Sequence, residues 1–264
     1  MSILYVCFAF CGHWYFSRFF NAVKCRGGMG IYLKEKLAGV WRGVLEILFP
    51  AVCFGCGVEG FFVCDGCFRG LAHGSGGIDM ACDTGGLASL DGVLACCGYE
   101  GKGLLARLIH AFKYDFIVDL RIPLGLLMAD ALHETEFGKN GSERAVLCAV
   151  PLHKKRLKWR GFNQAGLLAF QVSEYLGLPV VDLLRRTKFR RPQKELSRED
   201  RILNMRGAFE VIANDGITIG NGDFPTVLLV DDVATTLSTL QECALVLKQA
   251  GVKKVYGIVL ARVY

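Results

Sequence analysis

The stretch at 227–239, VLLVDDVATTLST, gathers the residue types that bind a sugar phosphate. A continuous apolar run delivers two adjacent carboxylates, Asp231 and Asp232, and a small, hydroxyl-rich segment follows: Ala234, Thr235, Thr236, Leu237, Ser238 and Thr239. Paired carboxylates suit the vicinal hydroxyls of a ribose, directly or through Mg²⁺, which takes oxygen ligands and keeps several waters. Hydroxyl side chains and the N–H groups at a helix start are what a phosphate monoester needs. A diol on one side and a phosphate on the other describe a ribose 5-phosphate. Asp, Ser and Thr also favour strand-end turns and helix caps for purely structural reasons. The whole thirteen-residue pattern, more than the acidic pair alone, argues for a ligand.

A second constellation is Cys53-x2-Cys56 and Cys64-x2-Cys67. Four thiolates suffice for a tetrahedral, structural zinc with no open position. The spacing also admits an iron–sulfur cluster, or four thiols packed as small hydrophobes. The chain has 12 cysteines, and the other eight show no comparable spacing. In a chain of this length, paired C-x2-C motifs point to a metal in a reducing, cytoplasmic compartment rather than to a disulfide scaffold.

Charge is the third signal. The formal net charge is only +6, yet residues 153–206 hold 14 Lys and Arg against 5 Asp and Glu. Lys154, Lys155, Arg156, Lys158 and Arg160 interleave with Trp159 and Phe162, and Arg185, Arg186, Lys188, Arg190 and Arg191 surround Phe189. Cations along a backbone with rings for the bases is the arrangement that binds single-stranded nucleic acid. A pyrophosphate site flanked by a solvated face would need the same charges. The five histidines have no metal-like spacing, and no Ser-His-Asp or Cys-His set can be assembled.

These groups need a scaffold, and 264 residues with 52% hydrophobic content provide one. That composition excludes a disordered chain, a collagen-like repeat and a coiled coil. Residues 29–49 read as an amphipathic helix ended by Pro50, and 53–97 as a Gly- and Cys-rich module held by its metal. From about 94 onward strands and helices alternate. Helices are expected at 102–114, 120–133, 163–176 and 238–250, and strands at 145–152, 179–182, 226–231 and 255–261. Residues 185–206 are too charged for a core element and read as an exposed arm. Strand–turn–helix–strand order predicts an α/β fold, a mainly parallel sheet with helices on both faces. Residues 2–16 are apolar but too short to span a membrane, and their first positive charge, Arg18, comes after the run rather than before it. Residues 1–28 are therefore expected to be an extension ahead of the start at Met29, and no transmembrane segment is expected.

The 227–239 pattern resembles the phosphoribosyl-pyrophosphate (PRPP) signature of type I phosphoribosyltransferases, and the chain as a whole resembles the ComF/GntX family of competence-associated proteins. LFPAVCFGCG with VCDGC, LIHAFKY at 108–114, VPLHKKRLKWRGFNQA at 150–165, RRPQKELSREDRILNMRGAF at 190–209 and the terminal VYGIVLAR carry that resemblance, from about residue 38 to residue 262. It implies a Rossmann-like transferase domain over 93–264, preceded at 29–92 by a helix and a zinc-ribbon-like module. Asp231 and Asp232 would hold the ribose hydroxyls of PRPP with Mg²⁺, and the 234–239 turn its 5-phosphate. Arg156 and Arg160 would approach the pyrophosphate, and the arm after Arg190 would close over the site. Single-stranded DNA and the DNA-uptake machinery are the implied partners; the alternative is an active phosphoribosyltransferase of nucleotide metabolism without a DNA role. Leu237 departs from the pattern, because glycine is usual there. A glycine accepts positive φ and lets the backbone approach a phosphate, so leucine implies either a rebuilt turn or weaker phosphate binding.

Overall fold

The computed structural model describes residues 50–72, 78–79, 89–97, 101–139, 145–187, 207–212 and 226–262. The expectations for residues 1–28, for the 29–49 helix and for the arm beyond Thr187 fall outside them. Val52–Tyr264 is one compact unit, containing both the cysteine pairs and the sheet.

In chain order the described elements are α1 (Asp65–Ala72), β1 (Ile78–Asp79), β2 (Gly92–Cys97), α2 (Leu104–Tyr114), α3 (Arg121–His133), α4 (Glu136–Lys139), β3 (Ala145–Ala149), α5 (Lys154–Arg160), α6 (Gln164–Leu176), β4 (Leu184–Arg186), β5 (Phe209–Val211), β6 (Thr226–Ala234), α7 (Ser238–Gln249) and β7 (Lys254–Arg262). Five strands form a sheet in the order β1-β2-β7-β6-β3, parallel throughout except for the antiparallel edge strand β1. The chain is thus an α/β protein with a mainly parallel sheet.

Near-continuous apolar runs in β3 and β6 reflect strands covered on both faces. Side chains alternate between two layers. Leu147, Leu228, Val230, Ile258 and Leu260 pack with α2, α3 and α6. Val146, Cys148, Val227, Leu229 and Val259 pack with α7 and the β4–β5 ribbon. Helices α3 and α6 approach closely at Gly125, where a Cβ would stand 2.5 Å from the Cβ of Gln171.

Three local expectations are corrected. The 226–231 strand runs on to Ala234, because β7 offers pairing partners as far as Arg262. Residues 179–182 contribute one parallel bridge, Val180 to Leu147, and the regular strand comes later, at Leu184–Arg186. Arg185 and Arg186 therefore lie not in a loop but in a ribbon with β5, where Arg186 spreads over the Phe209 ring at 5.3 Å. Among the described residues no helix is long and apolar enough to cross a membrane.

Candidate functional site

The four cysteines converge. The Sγ atoms of Cys53, Cys56, Cys64 and Cys67 all lie within 4.8 Å of one another, with Cys56 and Cys64 at 3.5 Å. Backbone N–H groups of Gly55 and Cys64 point at Cys53 Sγ, each at 3.4 Å. Burial pushes the Cys53 thiol up, but these and neighbouring backbone donors outweigh it and hold the group at about 6. Cys67 is pushed up to about 12, first by its hydrogen bond with the Cys64 side chain and then by burial. Four thiolates this close repel one another unless a cation sits among them, and the donor set fits zinc. Phe54, Phe62, Cys67 and Phe68 pack onto the α2–α3–α6 layer, so the cluster is joined to the main core.

The acidic pair stands at the carboxyl end of β6, the edge where open parallel sheets bind ligands. Strand geometry sends neighbouring side chains to opposite faces, and the two carboxylates meet different layers. Asp232, nearly buried, takes Lys113 Nζ from the end of α2 at 2.8 Å. Asp231 lies near Arg186 of β4 and Cys243 of α7 on the other side. Each carboxylate also accepts a backbone N–H: Asp232 N donates to Asp231 Oδ1 at 2.9 Å, and Val233 N to Asp232 Oδ1 at 2.6 Å. Asp231 keeps some solvent contact, yet desolvation of its carboxyl and then the Asp232 charge push it up to about 7.

Lys113 and Arg186 act on this pair, and further basic groups stand beside Arg186. Arg156 and Arg186 are half-buried, and both guanidiniums are held below their usual range, first by burial and then by another arginine: Arg160 for Arg156, and Arg156 for Arg186. His153 caps α5, its Nδ1 accepting from Lys155 N at 3.2 Å, and is lowered by burial and by Arg186. Arg160 donates to Gln164 Oε1 at 3.0 Å, at the start of α6. The short helix α5 thus turns Arg156 and Arg160 inward, and leaves Lys154, Lys155, Lys158 and Trp159 exposed.

The turn after β6 leads into α7. Thr235 is exposed; Thr236, Ser238 and Thr239 are half-buried, with Thr236 Oγ1 and Ser238 Oγ 2.9 Å apart. Ala234 is buried. Leu237 takes a left-handed conformation, φ 57° and ψ −1°, which a glycine accepts without strain. It is 4% exposed and packs with Leu240 and Cys243 in the α7 layer.

Lys188, Phe189, Arg190 and Arg191 lie outside the described residues. Lys113 and Arg186 were missed as site residues by the sequence reading. Lys113 lay inside the LIHAFKY segment and Arg186 inside the basic stretch, but neither spacing shows which carboxylate a cation will meet. An apolar cavity of about 190 Å³ lies elsewhere, lined by Leu94, Leu132, Phe137, Leu228, Tyr256 and Ile258 among others, and neither aspartate lines it.

No family model matches the chain. It is 33% identical over 161 residues to Competence protein F of Haemophilus influenzae, a match covering 60% of this chain and 68% of that protein. It is 31% identical over 154 residues to the DNA utilization protein YhgH of Escherichia coli, covering 56% and 62%. Among solved structures, TT1426 from Thermus thermophilus is similar with a TM-score of 0.30 and 15% identity, over 54% of this chain and 83% of that one. With one third of its aligned residues shared across more than two thirds of the Haemophilus protein, the chain belongs to the competence protein F (ComF) family.

Proposed function

We propose that the chain acts in competence-associated DNA handling in the cytoplasm, and that the carboxyl end of β6 binds PRPP with Mg²⁺. The names of its relatives, a competence protein and a DNA utilization protein, support the first half. The second half rests on one observation. Two carboxylates stand at the end of a central parallel strand, between half-buried cations and a hydroxyl-bearing turn that opens a 12-residue helix.

Asp231 and Asp232 would hold the ribose hydroxyls, and their oxygen donors suit a hard cation such as Mg²⁺. The 5-phosphate would lie against Thr235, Thr236, Ser238 and Thr239 at the start of α7. Arg156 and Arg160, with Arg186 opposite, would meet the pyrophosphate, since a planar guanidinium matches phosphate oxygens. Mg²⁺, when bound, would spread pyrophosphate charge. The exposed lysines of α5 would track a DNA backbone.

Transferase turnover is the second reading, favoured by the left-handed backbone at Leu237, a conformation that glycine accepts without strain. Calorimetric titration of PRPP with Mg²⁺ tests the site: heat is expected with the native chain and none with Asp231→Ala/Asp232→Ala. Absence of heat with the native chain overturns the PRPP reading. If heat is present, release of pyrophosphate on addition of candidate bases separates an enzyme from a binding protein.

A further inference from the structure

Four rings gather on the surface where the end of α2 meets α5. Phe116 and Trp159 pack edge to face with centroids 5.6 Å apart, and His110 and Tyr114 pair at 4.9 Å. The Arg160 guanidinium joins the two pairs, 5.5 Å from the Tyr114 centroid and 5.9 Å from that of Trp159. Trp159 is 60% exposed, Tyr114 49% and Phe116 41%. Folding alone gives no reason to leave this much aromatic surface in water.

The backbone adds a second reason. Beyond the end of helix α2 the chain folds back, Ile117 N donating to Ala111 O at 3.4 Å, with Phe116 between them at φ 57°. Glycine occupies that position at no steric cost, whereas an aromatic residue there is strained. The phenylalanine is still 41% exposed, so burial only partly accounts for a ring at this position.

Charge indicates what covers the rings. On the same helix as Trp159, Lys154, Lys155 and Lys158 are exposed, and α5 has no acidic residue. Asp115, 3.9 Å from His110 Nδ1, is the carboxylate beside the platform. Flat apolar faces beside a row of cations complement a polyanion with exposed flat bases, and every base has a face to stack.

We propose that the Phe116–Trp159 platform stacks unpaired bases of a single DNA strand whose phosphates run along the lysine face of α5. This rests on the DNA half of the proposed function and is independent of PRPP. The test measures fluorescence anisotropy of labelled oligo(dT), and of an abasic strand of equal length, with the full chain over a range of salt. Oligo(dT) is expected to bind more tightly than the abasic strand. Trp159→Ala and Phe116→Gly should each weaken oligo(dT) binding about tenfold, the order of one lost stacking contact, with the salt slope unchanged. Lys154→Gln/Lys158→Gln should flatten that slope. Phe116→Gly suits the left-handed backbone at that position, so the fold is expected to tolerate it. Equal binding of the two strands, or unchanged affinity in both ring variants, overturns the platform alone. Failure to bind either strand overturns the DNA reading with it.

Discussion

Lys113 Nζ stands 2.8 Å from Asp232 Oδ1, tying the last turn of α2 to the carboxyl end of β6. Both side chains are mostly shielded, 18% and 12% exposed, so the pair joins a surface helix to the central strand through a poorly hydrated ion pair. It also half-neutralises an acidic pair that would otherwise repel itself. Lys113→Met should cost about 2–3 kcal/mol, because the Asp232 charge is left without its partner. Lys113→Met/Asp232→Asn should recover part of that loss in urea denaturation. Strictly additive effects would mean the two groups are not coupled.

Asp231 predicts a pH dependence. Its carboxyl titrates at about 7 in the fold against 3.8 unfolded. Between those values the native chain holds a proton that the unfolded chain has released. Its contribution is therefore largest below about pH 4, falls as pH rises to about 7, and is flat above, with a slope of at most about 1.4 kcal/mol per pH unit. Asp231→Asn removes this slope. The difference in unfolding free energy between native chain and variant, followed from pH 4.5 to 8, should shift in the variant's favour up to about pH 7 and then level off. A difference independent of pH would place the carboxyl at an ordinary value.

The cysteine cluster predicts one zinc per chain by elemental analysis. Stripping it with a chelator should lower the unfolding temperature, since metal binding and folding are coupled in such modules. Gly55→Ala is a sharper probe than removing a ligand. A Cβ there would lie 2.3 Å from Cys67 Sγ, so a single methyl should displace a sulfur and release metal with all four thiols present. Retention of zinc by Gly55→Ala would contradict the observed closeness of the two knuckles.

Leu237 inverts a usual order of substitution. Leu237→Ala loses a buried side chain, worth about 2–3 kcal/mol, and keeps most of the left-handed strain. Leu237→Gly loses the same burial but relieves about 1 kcal/mol of strain. Thermal denaturation should therefore rank the native chain above Leu237→Gly, and Leu237→Gly above Leu237→Ala. An alanine variant more stable than the glycine variant would show that φ at this turn is not strained.

By itself the sequence determined most of the elements and the acidic, hydroxyl and cysteine groups of the site. The apolar runs of β3 and β6 marked buried parallel strands because covered strands leave no polar face. The C-x2-C spacing marked a metal module because two turns suffice to aim four sulfurs at one point. The 227–239 pattern set the acidic pair and the hydroxyl turn at a strand end, both being local to one strand–helix junction. Tertiary structure alone decided the partners. Lys113 and Arg186 reach the two aspartates from a helix and a ribbon distant in the chain, and no spacing encodes which cation faces which carboxylate. It also decided that the Leu237 side chain turns into the α7 layer from a left-handed backbone. The left-handed backbone sets that direction, and only the packed core supplies the apolar contacts that hold a leucine there.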